Sequence, residues 1–478
     1  MYLGIDLGTS GVKVTLIDDA QAVIGAQTAP LGLHRPHPRW SEQEPADWIA
    51  ATRAAMAALA CDHNLSGLRG IGLSGQMHGA VALDAGDRVL RPAILWNDTR
   101  AHAEAAALDA DPDFHRISGN IVFAGFTAPK LVWMAAHEPD LFARTARVLL
   151  PKDYLRLWLT GGHVSEMSDA SGTAWLDVAS REWSDDLLAA SGMRRDQMPD
   201  LVEGSAPSGM LRDALAREWG VAGPVVVAGG AGDNAATAIG AGTIAPGQGF
   251  VSLGTSGVVF AATDRFLPAP RTAVHAFCHA LPGTWHQMGV ILSASAALEW
   301  LAGVLGARPA DLTSGLGPLR APGPEMFLPY LSGERTPHND AGLRGLMAGL
   351  TPATDRAAMT RAVLEGVAFA LADNLAALRD AGAAPQALLA LGGGARSEYW
   401  LRAIATALDL PVLLPEGGDY GAAFGAARLA LMAATRAPAH EVCLRPRIAA
   451  EIRPDAALVA AFAEAHARFR DLRPAAGR

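Results

Sequence analysis

Along the first part of the chain, short apolar runs alternate with polar turn residues. Residues 2–6 read as a strand, Gly8-Thr9-Ser10-Gly11 as a turn and residues 12–17 as a second strand; residues 22–27, beyond the Asp18-Asp19 turn, read as a third. Pro45 opens a helix with Trp48, Ile49, Met56 and Leu59 on apolar positions, because proline suits the first helical position. Residues 70–73 return as a short buried strand. Further on, the pattern predicts strands around 248–260, a helix over 355–379, a strand over 387–391 and a helix over 397–408. A strand over 412–414, a helix over 422–434 and a polar-faced helix near 455–470 complete the chain. This alternation belongs to the α/β class with a mixed sheet.

The pattern also repeats. Leu7-Gly8-Thr9-Ser10-Gly11-Val12 recurs letter for letter as Leu253-Gly254-Thr255-Ser256-Gly257-Val258, each time behind a strand-like run. A looser echo links residues 229–241 with 417–426; both are glycine-rich turns holding an acid, Asp233 and Asp419, before a small-residue helix. Two echoes in the same order point to duplication. Residues 240–247, where Ala-Pro-Gly interrupts the pattern, form the expected boundary, giving domains 1–243 and 244–478.

Composition narrows the function classes. The chain has 478 residues, half of them hydrophobic, and a formal charge of −9 without a basic tract, which argues against nucleic-acid binding. Cys61, Cys278 and Cys443 lie far apart with no CxxC pair, so neither a disulfide framework nor a zinc site is expected. His275 and His279, near Cys278, lack further ligands and read as ordinary polar residues. No apolar run is long enough to span a bilayer and Asp6 interrupts any leader pattern, so a soluble, cytoplasmic protein is expected. Lysine occurs only at Lys13, Lys130 and Lys152, as codon bias in a GC-rich genome would produce. Without a Gly-Lys dipeptide, the P-loop is excluded.

The turns carry the chemistry. In Gly8–Gly11 the glycines permit positive φ and close approach, while Thr9, Ser10 and the backbone N–H groups can cradle an anion. Asp6 aims a carboxylate at the same place, and next to phosphate such a group calls for a divalent cation, so it reads as a magnesium-organising residue. Gly230-x-Gly232-x-x-Ala235 fits the dinucleotide fingerprint, but Asp233 would lie against the pyrophosphate and the acid expected ~20 residues on is missing. Asp233 then has two readings: a helix cap, or a base facing a substrate hydroxyl. Residues 35–41, with Arg35, His37 and Trp40, read either as a sugar-site rim or as a structural loop.

These motifs resemble those of the FGGY carbohydrate kinases. The similarity covers Asp6–Ser10, Gly254–Ser256 and Gly392-Gly393-Gly394-Ala395-Arg396-Ser397, together with two family signatures. Those signatures begin at Phe126-Thr127-Ala128-Pro129-Lys130 and at Gly345-Leu346-Met347-Ala348-Gly349, with Ala136 and Ala358 standing where polar residues are usual. Within the family, Gly75-Gln76-Met77-His78-Gly79, Leu95-Trp96-Asn97-Asp98, Arg35-Pro36-His37-Pro38-Arg39-Trp40-Ser41-Glu42-Gln43 and Ser332-Gly333-Glu334-Arg335-Thr336-Pro337-His338 resemble the members that act on D-xylulose.

The resemblance implies two actin-like (ribonuclease H-like) domains with a catalytic cleft between them. It implies transfer from ATP with Mg²⁺ to D-xylulose, and Asp233 as general base. The sugar site would use Gln76, Met77, His78, Trp96, Asp233 and Asn234. The ATP and phosphate site would use Gly8, Thr9, Ser10, Gly254, Thr255, Ser256, Gly393, Gly394, Arg396 and Ser397, with Asp6 at the metal. A homodimer is admitted. The alternatives are a kinase for another ketose or polyol, or an actin-like ATP-driven switch.

Overall fold

The computed structural model describes residues 1–418 and 420–477; Asp419, the acid of the second glycine-rich echo, lies outside them. Two units form. The first comprises Met1–Ile244 with Phe277–Trp285 and Asp419–Arg445; the second comprises Ala245–Ala276, His286–Gly418 and Pro446–Arg478.

In the first unit the sheet runs, in spatial order, Pro207–Met210, Val226–Ala228, Gly70–Gly75, Tyr2–Leu7, Gly11–Ile17 and Val23–Pro30. Ala231–Gly232 adds a short pairing to Gly70–Gly75. Tyr2–Leu7 pairs antiparallel with Gly11–Ile17 and parallel with Gly70–Gly75. The helix Pro45–Asp62 begins at the predicted proline and buries Trp48, Met56 and Leu59, while Ile49 stays partly exposed.

The expected second domain runs from residue 244 onward, yet the helix Ala422–Thr435 belongs to the first unit. Its placement follows from glycines. A Cβ on Gly4 would sit 1.8 Å from the carbonyl oxygen of Ala423, and one on Gly72 1.8 Å from that of Ala426. On another face, Gly425 meets the Ala236 carbonyl at the same 1.8 Å. Bare backbone in two adjacent strands and in the helix lets main chain pack on main chain, as no side chain would allow.

The second unit repeats the local topology. Gln248–Leu253 pairs antiparallel with Gly257–Thr263 and parallel with Ala387–Leu391, which continues to Val412–Pro415 and Ile448–Ile452. The two identical hexapeptides are therefore both hairpin turns, but they close in different registers: Leu7 faces Val12, whereas Leu253 faces Gly257. A one-residue difference exchanges the faces of the following strand. The expected positive φ is absent from both turns, and left-handed glycines occur elsewhere, as at Gly230 and Gly392. What Gly11 provides is space, since a Cβ there would lie 2.8 Å from the Ala29 carbonyl oxygen.

The C-terminal helix spans Val459–Ala476 and starts later than predicted. Asp455 heads a turn instead: its N–H donates to Thr406 Oγ1, and its carboxylate accepts from the Ala457 N–H. Among the described residues no helix is long and apolar enough to cross a membrane.

Candidate active site

Parallel strands place their carboxyl ends, and the side chains that follow, along one edge of the sheet. Tyr2–Leu7 delivers Asp6, Gly70–Gly75 delivers Gln76-Met77-His78, and Ala231–Gly232 delivers Asp233. Register brings them together, because Asp6 lies opposite Ser74 and Gly232 opposite Gly75.

Asp233 is the first residue of the helix Asp233–Gly240, and the cap position is Gly232. The carboxylate is thus not the N-cap that one reading expected. Its Oδ1 accepts from the backbone N–H of Asn234 at 2.7 Å and from Asn234 Nδ2 at 3.0 Å. Burial raises the Asp233 pKa, and the two Asn234 donors pull it back in part. Asp6 is pushed up to about 6 by burial first and by the charge of Asp233 second. Its buried Oδ1 meets the geometry of no protein hydrogen bond. Two neighbouring carboxylates, one with an orphaned buried oxygen, form an environment that a cation would relieve. Among the described residues no group of three or more His, Cys, Asp or Glu side chains could enclose a metal alone.

Met77 is buried, with its sulfur 2.8 Å from the position of a Cβ on Gly232, so it walls the approach to Asp233. His78 adopts φ 67°, stacks on Phe126 at 4.7 Å, and Nδ1 lies 2.7 Å from the Gly172 carbonyl oxygen. Lys130 Nζ donates to the carbonyl oxygens of His78 and Gly125, both at 2.7 Å. Burial lowers Lys130 to about 7.

Thr9 differs from the expectation of a spare phosphate donor. Its hydroxyl donates to Gln76 Oε1 and accepts from Trp96 Nε1, both at 2.9 Å, and its carbonyl accepts from Gln43 Nε2 at 2.8 Å. Gln43 also accepts from Gln76 Nε2 and Trp48 Nε1, which locks the Gly8–Gly11 turn, the Gln76 segment and the helix Pro45–Asp62 into one network. Ser10 is exposed and Trp96 is 38 % exposed. Trp40 takes the structural reading: Arg100 lies 3.6 Å over its ring and Trp133 meets it edge-on, while Arg35 and His37 are exposed.

In the second unit the carbonyls of Gly254 and Thr255 accept from the N–H groups of Ser295 and Ala294. A Cβ on Gly254 would meet nothing closer than 3.6 Å, and one on Gly393 nothing within 4 Å. Neither needs positive φ, so local structure does not explain either glycine. Gly394 is different, since a Cβ there would lie 2.7 Å from Leu253 Cβ. Ser397 caps the helix Glu398–Leu408 through Oγ. Arg396, Ser397 and Tyr399 line a cavity of about 720 Å³.

Sequence reasoning gives no role to Gln43, Lys130, Lys152, Arg156 or Ser168, although Gln43 and Lys130 stand in the family-like segments. Lysine usage held a signal: in an arginine-rich chain, Lys130 and Lys152 are both fully buried. A point-charge ammonium satisfies converging oxygens where a planar guanidinium does not fit.

Residues 1–240 match the N-terminal domain of the FGGY family of carbohydrate kinases, and residues 249–434 match its C-terminal domain. The chain is 52% identical over 437 residues to the xylulose kinase of Escherichia coli (strain K12), covering 91% of this chain and 90% of that one. It is 38% identical over 436 residues to the xylulose kinase of Bacillus subtilis (strain 168), covering 90% and 87%. Among solved structures, the "xyloylose kinase" of Brucella ovis superposes with a TM-score of 0.98 at 62% identity over 99% of both chains. The xylulose kinase of Rhodospirillum rubrum does so with a TM-score of 0.91 at 30% identity over 100% of both. Two α/β units with mixed sheets, the doubled hairpin and matches over both domains lead to one conclusion: the chain belongs to the FGGY family of carbohydrate kinases, enzymes of the actin-like ATPase fold.

Proposed function

We propose that the protein transfers the γ-phosphoryl group of ATP to D-xylulose, giving D-xylulose 5-phosphate, with Asp233 as general base. The observation that carries this reading is the convergence of Asp6, Met77-His78 and Asp233 at the carboxyl ends of three neighbouring parallel strands. Relatives named xylulose kinase add the substrate. The sugar hydroxyl oxygen attacks the γ-phosphorus, the bond to the β-bridging oxygen breaks, and ADP leaves. Asp233 orients that hydroxyl and takes its proton. Raised by burial, it is a better proton acceptor than an exposed aspartate, provided it is ionised.

Met77 supplies an apolar wall, His78 and Asn234 bring polar side chains to the sugar, and Gln76 and Trp96 border it with polar atoms bonded to Thr9 and Gln43, Trp96 offering its partly exposed ring face. The backbone of Gly8–Ser10 and Gly254–Ser256 faces the phosphates, with Thr9 acting mainly through its network. Gly393, Gly394, Arg396 and Ser397 border the adenosine, for which the neighbouring cavity has room. Asp6 would hold Mg²⁺, which supplies charge neutralisation on phosphate oxygens when bound.

Two results are expected. Across a panel of pentuloses, glycerol and aldohexoses at saturating ATP, D-xylulose gives the highest kcat/KM, and His78→Ala loses sugar binding by calorimetry. An unmatched buried polar group costs about 1–3 kcal/mol, enough for clear discrimination. A higher kcat/KM with D-ribulose or a polyol would move the enzyme to another substrate of the family. The second result concerns Asp6→Asn, which raises the magnesium concentration for half-maximal rate while leaving the sugar KM nearly unchanged. Below its pKa of about 6 Asp6 is protonated, so the wild type needs more magnesium as pH falls through 6 and the variant loses that dependence. Identical magnesium titrations for the two proteins would reduce Asp6 to a structural role.

A further inference from the structure

Five charged side chains that the reaction does not use are fully buried in the first unit: Lys152, Asp153, Arg156, Glu166 and Asp169. Lys152 Nζ lies 2.7 Å from Asp153 Oδ1, 3.0 Å from Asp169 Oδ2 and 3.4 Å from Glu166 Oε1. Burying ions costs several kcal/mol each, and apolar packing often serves stability as well or better. Stability is therefore a poor explanation for the cluster.

What it grips is a better one. Arg156 donates to the carbonyl oxygens of Ala228, at 2.6 Å, and Gly229; it also donates to Val164 and Ser208 and pairs with Asp153. Every guanidinium nitrogen is engaged. On the other side, Glu166 accepts from Ser168 Oγ at 2.9 Å, and Ser168 Oγ accepts from the backbone N–H of Gly232 at 3.0 Å. The bonds hold the two ends of one segment, residues 228–232, which leads directly into Asp233. Its middle is equally constrained, since Gly230 has φ 79° and a Cβ there would lie 2.2 Å from the Leu73 carbonyl oxygen.

We propose that Arg156 and Ser168, joined through Lys152, Asp153 and Glu166, are positioning residues that fix the backbone from Ala228 to Gly232 and thereby aim the Asp233 carboxylate. The inference rests on the reading of Asp233 as the base. Ser168 accepts a hydrogen bond from the chain that leads into Asp233 and donates its own to the Glu166 carboxylate. Arg156 restrains the strand end from which that chain departs. A displacement of about 1 Å at a reacting group can cost ~10²-fold in rate.

The test is steady-state kinetics of the full-length enzyme with Ser168→Ala, Ser168→Thr and Arg156→Lys, each also in an Asp233→Asn background, with thermal unfolding in parallel. Ser168→Ala is expected to lower kcat by about 10- to 100-fold with little change in either KM. Ser168→Thr, which keeps the hydroxyl, recovers most of that loss, and Arg156→Lys behaves like the alanine variant. In the Asp233→Asn background Ser168→Ala has no further effect, because the group it aims is gone. If Arg156→Lys does not fold, the Ser168 variants decide alone. Wild-type kcat in Ser168→Ala, a loss that threonine does not recover, or an undiminished effect in the Asp233→Asn background overturns the proposal. Full activity in Asp233→Asn itself overturns the base reading, a distinct outcome.

Discussion

Asp233→Ala and Asp233→Asn are expected to slow phosphoryl transfer by about 10²- to 10⁴-fold while leaving a folded protein that binds ATP as before. The size follows from what a positioned base contributes when the nucleophile is a sugar hydroxyl, which is a weak attacking group until its proton has somewhere to go. The specificity of the effect follows from local structure. Gly232 occupies the cap position, so removing the carboxylate does not uncap the helix. The structural contribution of Asp233 is limited to two bonds from Asn234 and the favourable site of an acid in a first helical turn, together on the order of 1 kcal/mol. Burial has already raised its pKa, so part of that contribution is offset by the desolvation of the charge. Initial rates, ATP titration and thermal unfolding of the two variants check all three statements. A folded variant with wild-type turnover would remove Asp233 from the chemistry; a variant that unfolds would return it to the role of a structural residue.

Gly72→Ala, together with Gly4→Ala and Gly425→Ala, is expected to produce the largest loss of stability of any single methyl addition at a glycine of the first unit. The added Cβ would lie 1.8 Å from the Ala426 carbonyl oxygen and 2.6 Å from its carbonyl carbon. Both are backbone atoms of a helix and neither can swing aside, so the helix must lift from the sheet. Overpacking in a tight core costs about 1–3 kcal/mol where side chains can adjust, and here the colliding atoms are main chain, which places the cost at or beyond the top of that range. Gly393→Ala is the control. With nothing within 4 Å and no positive φ, it should leave the unfolding midpoint unchanged. If Gly393 borders the nucleotide, the same change weakens ATP binding. Equal unfolding midpoints for Gly72→Ala and wild type would show that the helix Ala422–Thr435 does not depend on this contact.

What could be read from the residues alone was local. Apolar runs ending in turn residues marked the strands that became Tyr2–Leu7 and Gly11–Ile17, and a proline marked the start of Pro45–Asp62. The identical hexapeptides marked two hairpins, because turn chemistry is written within a few neighbouring residues. Asp6, Met77-His78 and Asp233 stand in short motifs of the family, each confined to a few neighbouring residues.

Their convergence was decided by the pairing of three strands far apart in sequence, and sequence spacing carries no measure of that register. The hexapeptides show the limit directly, since the same six letters close in two registers once different strands flank them. The same holds for Thr9, whose hydroxyl is taken by Gln76 and Trp96, and for the buried lysines, whose partners come from other segments. The return of Ala422–Thr435 to the first unit is the clearest case. Gly4, Gly72 and Gly425 look like ordinary glycines in an alanine- and glycine-rich chain. Their meaning arises only when two backbones approach to a distance that excludes a Cβ, a property of the pair that neither segment contains by itself.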